Sequence, residues 1–326
     1  MILRRNQQRT AFVLSGGGNL GALQVGMLTA LAEHDIVPDV VLGCSVGALN
    51  GAAYSRAPTR AGVQRLADRW RDIESPTLMP SSLVPNALQL LRKGASLHDN
   101  QGLRETVEAM LGDQLTFESL AVEFQCVATN VDTAMAEWFT EGQVVPAVLA
   151  SAALPAVYPP VELDGVRYLD GGVVDNVPVA RAVELGCNRI FVLHVGPHGR
   201  PEADIRRPLD GALLAYWLAR NNRFARDLAA LPEGVEVVVL PPGRRPELKY
   251  DDFSRSADLI RQGYTNSAEF LETRAEEIRA EPTGLRERLA RLRLPSGLAR
   301  SRVAEKAAAD PEGAIVFGDD EESPTG

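Results

Sequence analysis

Twice in its first fifty residues the chain runs from a short apolar stretch, through glycines, into a helical pattern. Ala11-Phe12-Val13-Leu14 leads into Ser15-Gly16-Gly17-Gly18-Asn19-Leu20-Gly21, and Val40-Val41-Leu42 leads into Gly43-Cys44-Ser45-Val46-Gly47. Such junctions belong to parallel strands whose crossovers are helices, because a tight strand-to-helix turn brings backbone against backbone and tolerates little beyond glycine. The second junction places a serine between two glycines, the pattern of a nucleophile elbow. There the hydroxyl of Ser45 stands at the C-terminal edge of a sheet, beside a helix end whose unpaired N–H groups favour a developing negative charge. A tight turn with no chemistry is the alternative reading of those five residues.

The first junction admits two functions. Its successive amides suit an anion, so the loop reads either as an oxyanion hole beside Ser45 or as a dinucleotide fingerprint, Gly16-x-Gly18-x-x-Gly21, with Asp39 as the distant acid. The ribose-binding acid of such a fingerprint stands at the C-terminal end of the second strand. Asp39 precedes Val40-Val41-Leu42 and lies at the opposite end, so position speaks against the nucleotide.

A third motif, Asp170-Gly171-Gly172, follows the strand-like run Val166 to Leu169. If that strand neighbours the one before Ser45, the Asp170 carboxylate reaches the hydroxyl, and burial brings its basicity nearer to what proton abstraction needs. Asp175 and Asn176 read as caps for a helix opened by Pro178.

Together the three motifs resemble the patatin-like phospholipase family, in the family's order of glycine loop, G-x-S-x-G elbow and Asp-Gly-Gly/Ala. The run Ser151-Ala152-Ala153-Leu154-Pro155-Ala156-Val157-Tyr158-Pro159-Pro160 is similar to the family's entry into its last catalytic strand. The resemblance implies a Ser–Asp dyad, with Ser45 as nucleophile, Asp170 as base, and the amides of Gly16, Gly17 and Gly18 as oxyanion hole. Gly43, Gly47, Gly171 and Gly172 complete the elbow and the acid motif. It also implies a lipid ester as substrate, no cofactor, and a three-layer fold with a mostly parallel central sheet and helices on both faces. Where many members carry Arg or Lys in the glycine loop, this chain has Leu20, which leaves the preference for a phospholipid over a neutral ester open.

Two other functional readings remain. A Ser45–Asp170–His194 triad would follow the order of α/β-hydrolases, since His194 closes the apolar run Ile190 to Leu193. A lipid-binding or regulatory protein of the same fold without turnover is the other. Of the remaining histidines, His34 falls at the polar end of a helix, and His98 and His198 receive no role.

The length of 326 residues allows one large α/β core. Strands are expected near 10–15, 39–43, 122–130, 166–170, 189–195 and 235–240. Helices are expected near 20–34, 46–54, 60–72, 101–111, 143–153, 177–185, 208–230 and 254–280. Residues 1–280 would form the hydrolase domain, 281–306 a basic segment with interleaved leucines, and 307–326 a disordered acidic tail. The apolar stretch within 76–93 reads as a lid or acyl-chain wall, or as a loop and packed helix. Val144 to Val161 approaches membrane-span length, but its prolines make it buried core instead.

Three widely separated cysteines suggest a reducing compartment, hence a cytoplasmic protein, and show no metal-ligand spacing. Cys44 reads as elbow packing. The N-terminal residues have charge but no apolar core of a secretory signal. A net charge of −9 argues against nucleic acid and confines contact with a membrane surface to local, transient patches. Nothing in the sequence fixes the oligomeric state.

Overall fold

The computed structural model describes residues 8–73, 100–196, 208–243 and 252–274. The segments 76–93, 281–306 and 307–326, and His98 and His198, lie outside them.

Five strands run parallel: β1 (Thr10–Leu14), β2 (Val40–Cys44), β3 (Glu123–Asn130), β7 (Arg189–Leu193) and β8 (Glu236–Val239). Three strands joined by antiparallel pairing complete an eight-stranded sheet: β4 (Met135–Phe139) and β6 (Val166–Asp170) against β3, and β5 (Val161–Leu163) against β6. The strand order is β5-β6-β3-β2-β1-β7-β8, with β4 also paired to β3. Neither β4 nor β5 is among the strands expected from sequence. Both are short, and β4 is half exposed, so neither carries a strong apolar run.

The central strands are buried on both faces, which is why they read as unbroken apolar runs rather than alternating ones. Successive residues still serve opposite sides. Phe12, Leu14, Val41, Phe191 and Leu193 face one core. Ala11, Val13, Val40, Leu42, Ile190 and Val192 face the other.

Six helices border the first core: α1 (Gly21–Glu33), α2 (Val46–Arg56), α3 (Arg60–Asp72), α4 (Gln101–Leu111), α5 (Val144–Ser151) and α8 (Ser256–Thr273). The second lies under α6 (Val179–Glu184) and α7 (Pro208–Ala229). The fold is therefore the expected three-layer arrangement. On the first face α8 crosses α1 backbone to backbone: a Cβ on Gly26 would stand 2.1 Å from the Ile260 carbonyl oxygen, and one on Gly263 would stand 2.2 Å from that of Leu23.

The run from Val144 is core, as its prolines suggest. Val144, Val145, Ala147, Val148, Leu149 and Ala150 of α5 are all buried, and Pro146 falls in the first turn, where its missing N–H costs nothing. Among the described residues no helix is long and apolar enough to cross a membrane.

Candidate active site

Both sequence motifs that end in a functional side chain arrive at the same point of the sheet because of how β3 is shared. Along one edge β3 pairs in parallel with β2, ending with Val127 opposite Cys44. From Ala128 onward the antiparallel β6 takes over, with Asp170 opposite Ala128. Residues 126–130 pair on the other edge with β4, so β2 and β6 must follow one another along the same edge. The ends of the two strands are thus apposed, and the residue after Cys44 is Ser45.

Ser45 occupies a strained turn, with φ 55° and ψ −122°, between β2 and α2. A β-carbon on a residue held at positive φ costs energy, and such outliers persist where the surroundings impose them. The flanking glycines explain how. A Cβ at position 43 would stand 2.5 Å from the Gly47 carbonyl oxygen, and one at position 47 would stand 2.2 Å from that of Leu14. The Ser45 amide donates to the Ser151 hydroxyl of α5 at 2.9 Å, which pins the turn from below. Ser45 itself is half-buried and lines a cavity.

Asp170 is 2% exposed. Its amide donates to the Ala153 carbonyl (2.9 Å), and its carbonyl accepts from the Thr129 hydroxyl (2.8 Å). Three donors converge on Oδ1: the Gly172 amide at 2.7 Å, the Tyr216 hydroxyl at 3.5 Å and the Cys44 thiol at 3.9 Å. Burial raises the carboxyl above its ordinary range, while the Ser45 hydroxyl, the Gly172 amide, Arg220 and Tyr216 pull it back. Gly171 presses on β3 so closely that a Cβ would stand 2.2 Å from the Val127 carbonyl oxygen. At Gly172 a Cβ would meet the Tyr216 hydroxyl at 2.3 Å.

The glycine loop ends in a tight 3-10 turn, Gly18–Leu20, with Gly18 at φ 58°. Gly16 lies against Ser45, since a Cβ there would come within 3.2 Å of the serine Cβ. Its amide is already engaged, donating to the Asn176 carbonyl at 3.3 Å. The Gly17 and Gly18 amides have no partner among the described residues. Beneath the loop lies a buried network that the sequence did not disclose. Gln24 donates to the Ser15 carbonyl (2.8 Å), Asn50 donates to Gln24 Oε1 (2.9 Å) and to the Gly21 carbonyl (3.0 Å), and Trp70 donates to Asn50 Oδ1 (2.8 Å). It ties the loop to α2, the helix that follows Ser45.

The cavity of about 290 Å³ opens above Ser45. Leu49, Trp70, Leu103, Val107, Val148 and Phe253 give it an apolar wall that suits a hydrocarbon chain.

Several expected residues are placed elsewhere. His194 is 2% exposed and stacks on Phe224 of α7, with ring centroids 5.1 Å apart, on the second-core side of the sheet. It is not among the residues lining the cavity with Ser45 and Asp170. Asp39 sits at the N-terminal start of β2, where it accepts from the Thr10 amide at 2.7 Å, at the opposite end of the strands from the glycine loop. Asp175 and Asn176 do not cap α6, whose N-cap is Pro178 without a side-chain bond. Asp175 pairs instead with Arg223 at 3.4 Å, and Asn176 lines the cavity. Burial, followed by the Asp170 charge, pushes the Cys44 thiol well up, away from the thiolate form that a nucleophile needs. Tyr216, Trp217 and Arg220 of α7 also line the cavity. None was singled out from sequence, because polar residues on an amphipathic helix look alike whether they face solvent or a site.

Comparison with known proteins places these features in context. The family model for patatin-like phospholipase matches residues 12–183, more than half of the chain. Lysophospholipase NTE1 of Eremothecium gossypii is 31% identical over 232 residues, covering 67% of this chain and 14% of that protein. Lysophospholipase nte1 of Aspergillus terreus is 33% identical over 290 residues, covering 80% and 18%. Patatin-like phospholipase domain-containing protein 7 of Rattus norvegicus is 30% identical over 210 residues, covering 64% and 15%. The chain therefore spans less than a fifth of the length of these curated relatives.

Proposed function

We propose that this chain, which belongs to the patatin-like phospholipase family, is a serine acyl hydrolase that cleaves the ester of a lysophospholipid. The observation that carries the reading is the apposition of Ser45, on its strained elbow, with the buried Asp170 carboxyl at the floor of an apolar cavity. The relatives named lysophospholipase supply the substrate class.

The chemistry follows from the groups present. Ser45 Oγ attacks the ester carbonyl carbon while Asp170 takes the hydroxyl proton. The carbonyl oxygen becomes an oxyanion facing the Gly17 and Gly18 amides, with Gly16 closing the loop against the serine. Collapse breaks the bond to the glycerol oxygen, which leaves with the proton held on Asp170. Water then attacks the acyl–Ser45 carbonyl and gives a proton to Asp170. The second collapse releases a fatty acid and returns the proton to Ser45 Oγ. The acyl chain lies along the wall formed by Leu49, Trp70 and Phe253. No step requires a cofactor, a nucleic acid or a second copy of the chain.

Release of fatty acid from lysophosphatidylcholine by the purified chain tests this. Release that disappears in Ser45→Ala, with folding retained, is the expected result. A folded protein that releases none, or a Ser45→Ala variant as active as the parent, contradicts it.

A further inference from the structure

The cavity holds one anion and one cation among its described lining residues, Asp170 and Arg220. Arg220 lies one turn beyond Tyr216 on α7, and its Cζ stands 5.4 Å from the Tyr216 ring centroid. Its neighbour on the helix, Arg223, is neutralised by Asp175 at 3.4 Å and Asp227 at 3.2 Å. Arg220 makes no ion pair among the described residues, and its buried Nε has no hydrogen-bond partner. Asp170 does not fill that need, because Oδ1 already takes three donors and no Arg220 nitrogen lies within ion-pair distance. A half-buried guanidinium that stacks on Tyr216, lines the cavity and makes no ion pair among the described residues is placed to meet an anion from outside. The glycine loop offers no competing cation, since Leu20 stands there.

We propose that Arg220 recognises the phosphate of the substrate, so that the cavity selects esters whose acylated glycerol carries a phosphodiester or phosphate. The inference rests on the acyl-hydrolase reading above. In a lysophospholipid only the glycerol carbons separate the scissile ester from the phosphate. An acyl chain in the apolar wall and a carbonyl at Ser45 therefore leave the phosphate close to the dyad, where α7 brings Arg220. The planar fork takes two phosphate oxygens, which a lysine cannot reproduce fully. Tyr216, stacked against the guanidinium and bonded to Asp170, links headgroup recognition to the base.

The test compares palmitoyl-lysophosphatidylcholine with monopalmitoylglycerol, which share the acyl chain and differ in the phosphate. The quantity read is the ratio of kcat/KM for the two esters, in the parent, Arg220→Gln and Arg220→Lys. The ratio is expected to fall about tenfold or more in Arg220→Gln and by less in Arg220→Lys, with the change in KM. A ratio within twofold of the parent's in Arg220→Gln overturns the proposal, because a structural fault or an effect on the dyad would lower both esters together. A second arm needs no turnover. Calorimetry on Ser45→Ala and Ser45→Ala/Arg220→Gln measures binding of decanoyl-lysophosphatidylcholine and monodecanoylglycerol. Loss of preference for the phosphate ester only when Arg220 is replaced supports the proposal, and an unchanged preference overturns it. If the parent hydrolyses neither ester, the hydrolase reading fails by itself, and the binding arm still decides the role of Arg220.

Discussion

Cys44 and Asp170 stand end to end along a single edge of β3, Cys44 opposite Val127 and Asp170 opposite Ala128. A parallel strand and an antiparallel strand thus deliver Ser45 and the Asp170 carboxyl to one place from segments far apart in the chain. The Ser45–Asp170 pair is positioned by main-chain pairing rather than by loops, and fixed geometry is what the proposed acyl transfer requires of its reacting groups.

Asp170→Asn separates stability from activity. Burial raises the Asp170 carboxyl above its ordinary value of 3.8, so its ionised form costs the folded state stability as pH rises through that raised value. The amide keeps an oxygen for the Gly172 N–H. The variant should be no less heat-stable than the parent at pH 7, while turnover falls by about a thousandfold or more. For the parent, a base that must be ionised predicts activity that declines toward acid with a midpoint above 3.8. Thermal melts and a pH–rate profile check both.

Tyr216→Phe removes a long bond of 3.5 Å that draws the Asp170 carboxyl downward. The acid limb of kcat/KM should shift to higher pH, with a loss at neutral pH of less than about tenfold. A shift toward lower pH contradicts the arrangement.

Asn50→Leu strikes the network under the glycine loop. It leaves Trp70 Nε1 and Gln24 Oε1 without partners in a fully buried position. Denaturant unfolding should show a loss of about 2–4 kcal/mol. Its activity should drop in samples that remain folded, because the loop and α2 lose their tie.

Asp175 is raised to about 6, chiefly by burial, with Arg223 opposing. A carboxyl whose folded value lies above its unfolded 3.8 binds its proton more tightly when folded, so stability from this group declines between pH 3.8 and about 6. Asp175→Asn should remove that decline. Its melting temperature relative to the parent should be higher at pH 7 than at pH 4.

How far these features could be read in advance depended on the range of the interactions. The strand-to-helix glycines are legible because their cause is local: Gly43 and Gly47 have carbonyls within a few residues or on the adjacent strand. Asp170-Gly171-Gly172 is legible as a motif, and Gly171 shows why, since it must pass β3 without a side chain. The parallel order of β2, β1 and β7 follows from long apolar runs, whereas β4 and β5 are short and carry no such signal. Asp175 and Asn176 have the residue types of helix caps, and tertiary demands overrode that propensity: one pairs with α7 and the other faces the cavity. Gln24, Asn50 and Trp70 are unremarkable one at a time and gain meaning only where three helices meet. The same holds for Arg220, an arginine among several on α7 until its place in the cavity wall beside Tyr216 is seen.

The most direct test of the Ser45–Asp170 pair is stoichiometric labelling with an alkyl fluorophosphonate, followed by peptide mass mapping. Ser45 Oγ would attack phosphorus, fluoride would leave, and Asp170 would take the proton. One adduct per chain on the peptide carrying Ser45 is predicted. The rate should be close to the parent's in His194→Ala and slower by about a hundredfold or more in Asp170→Asn. Labelling at another residue, or a His194→Ala variant slowed as much as Asp170→Asn, would contradict the dyad.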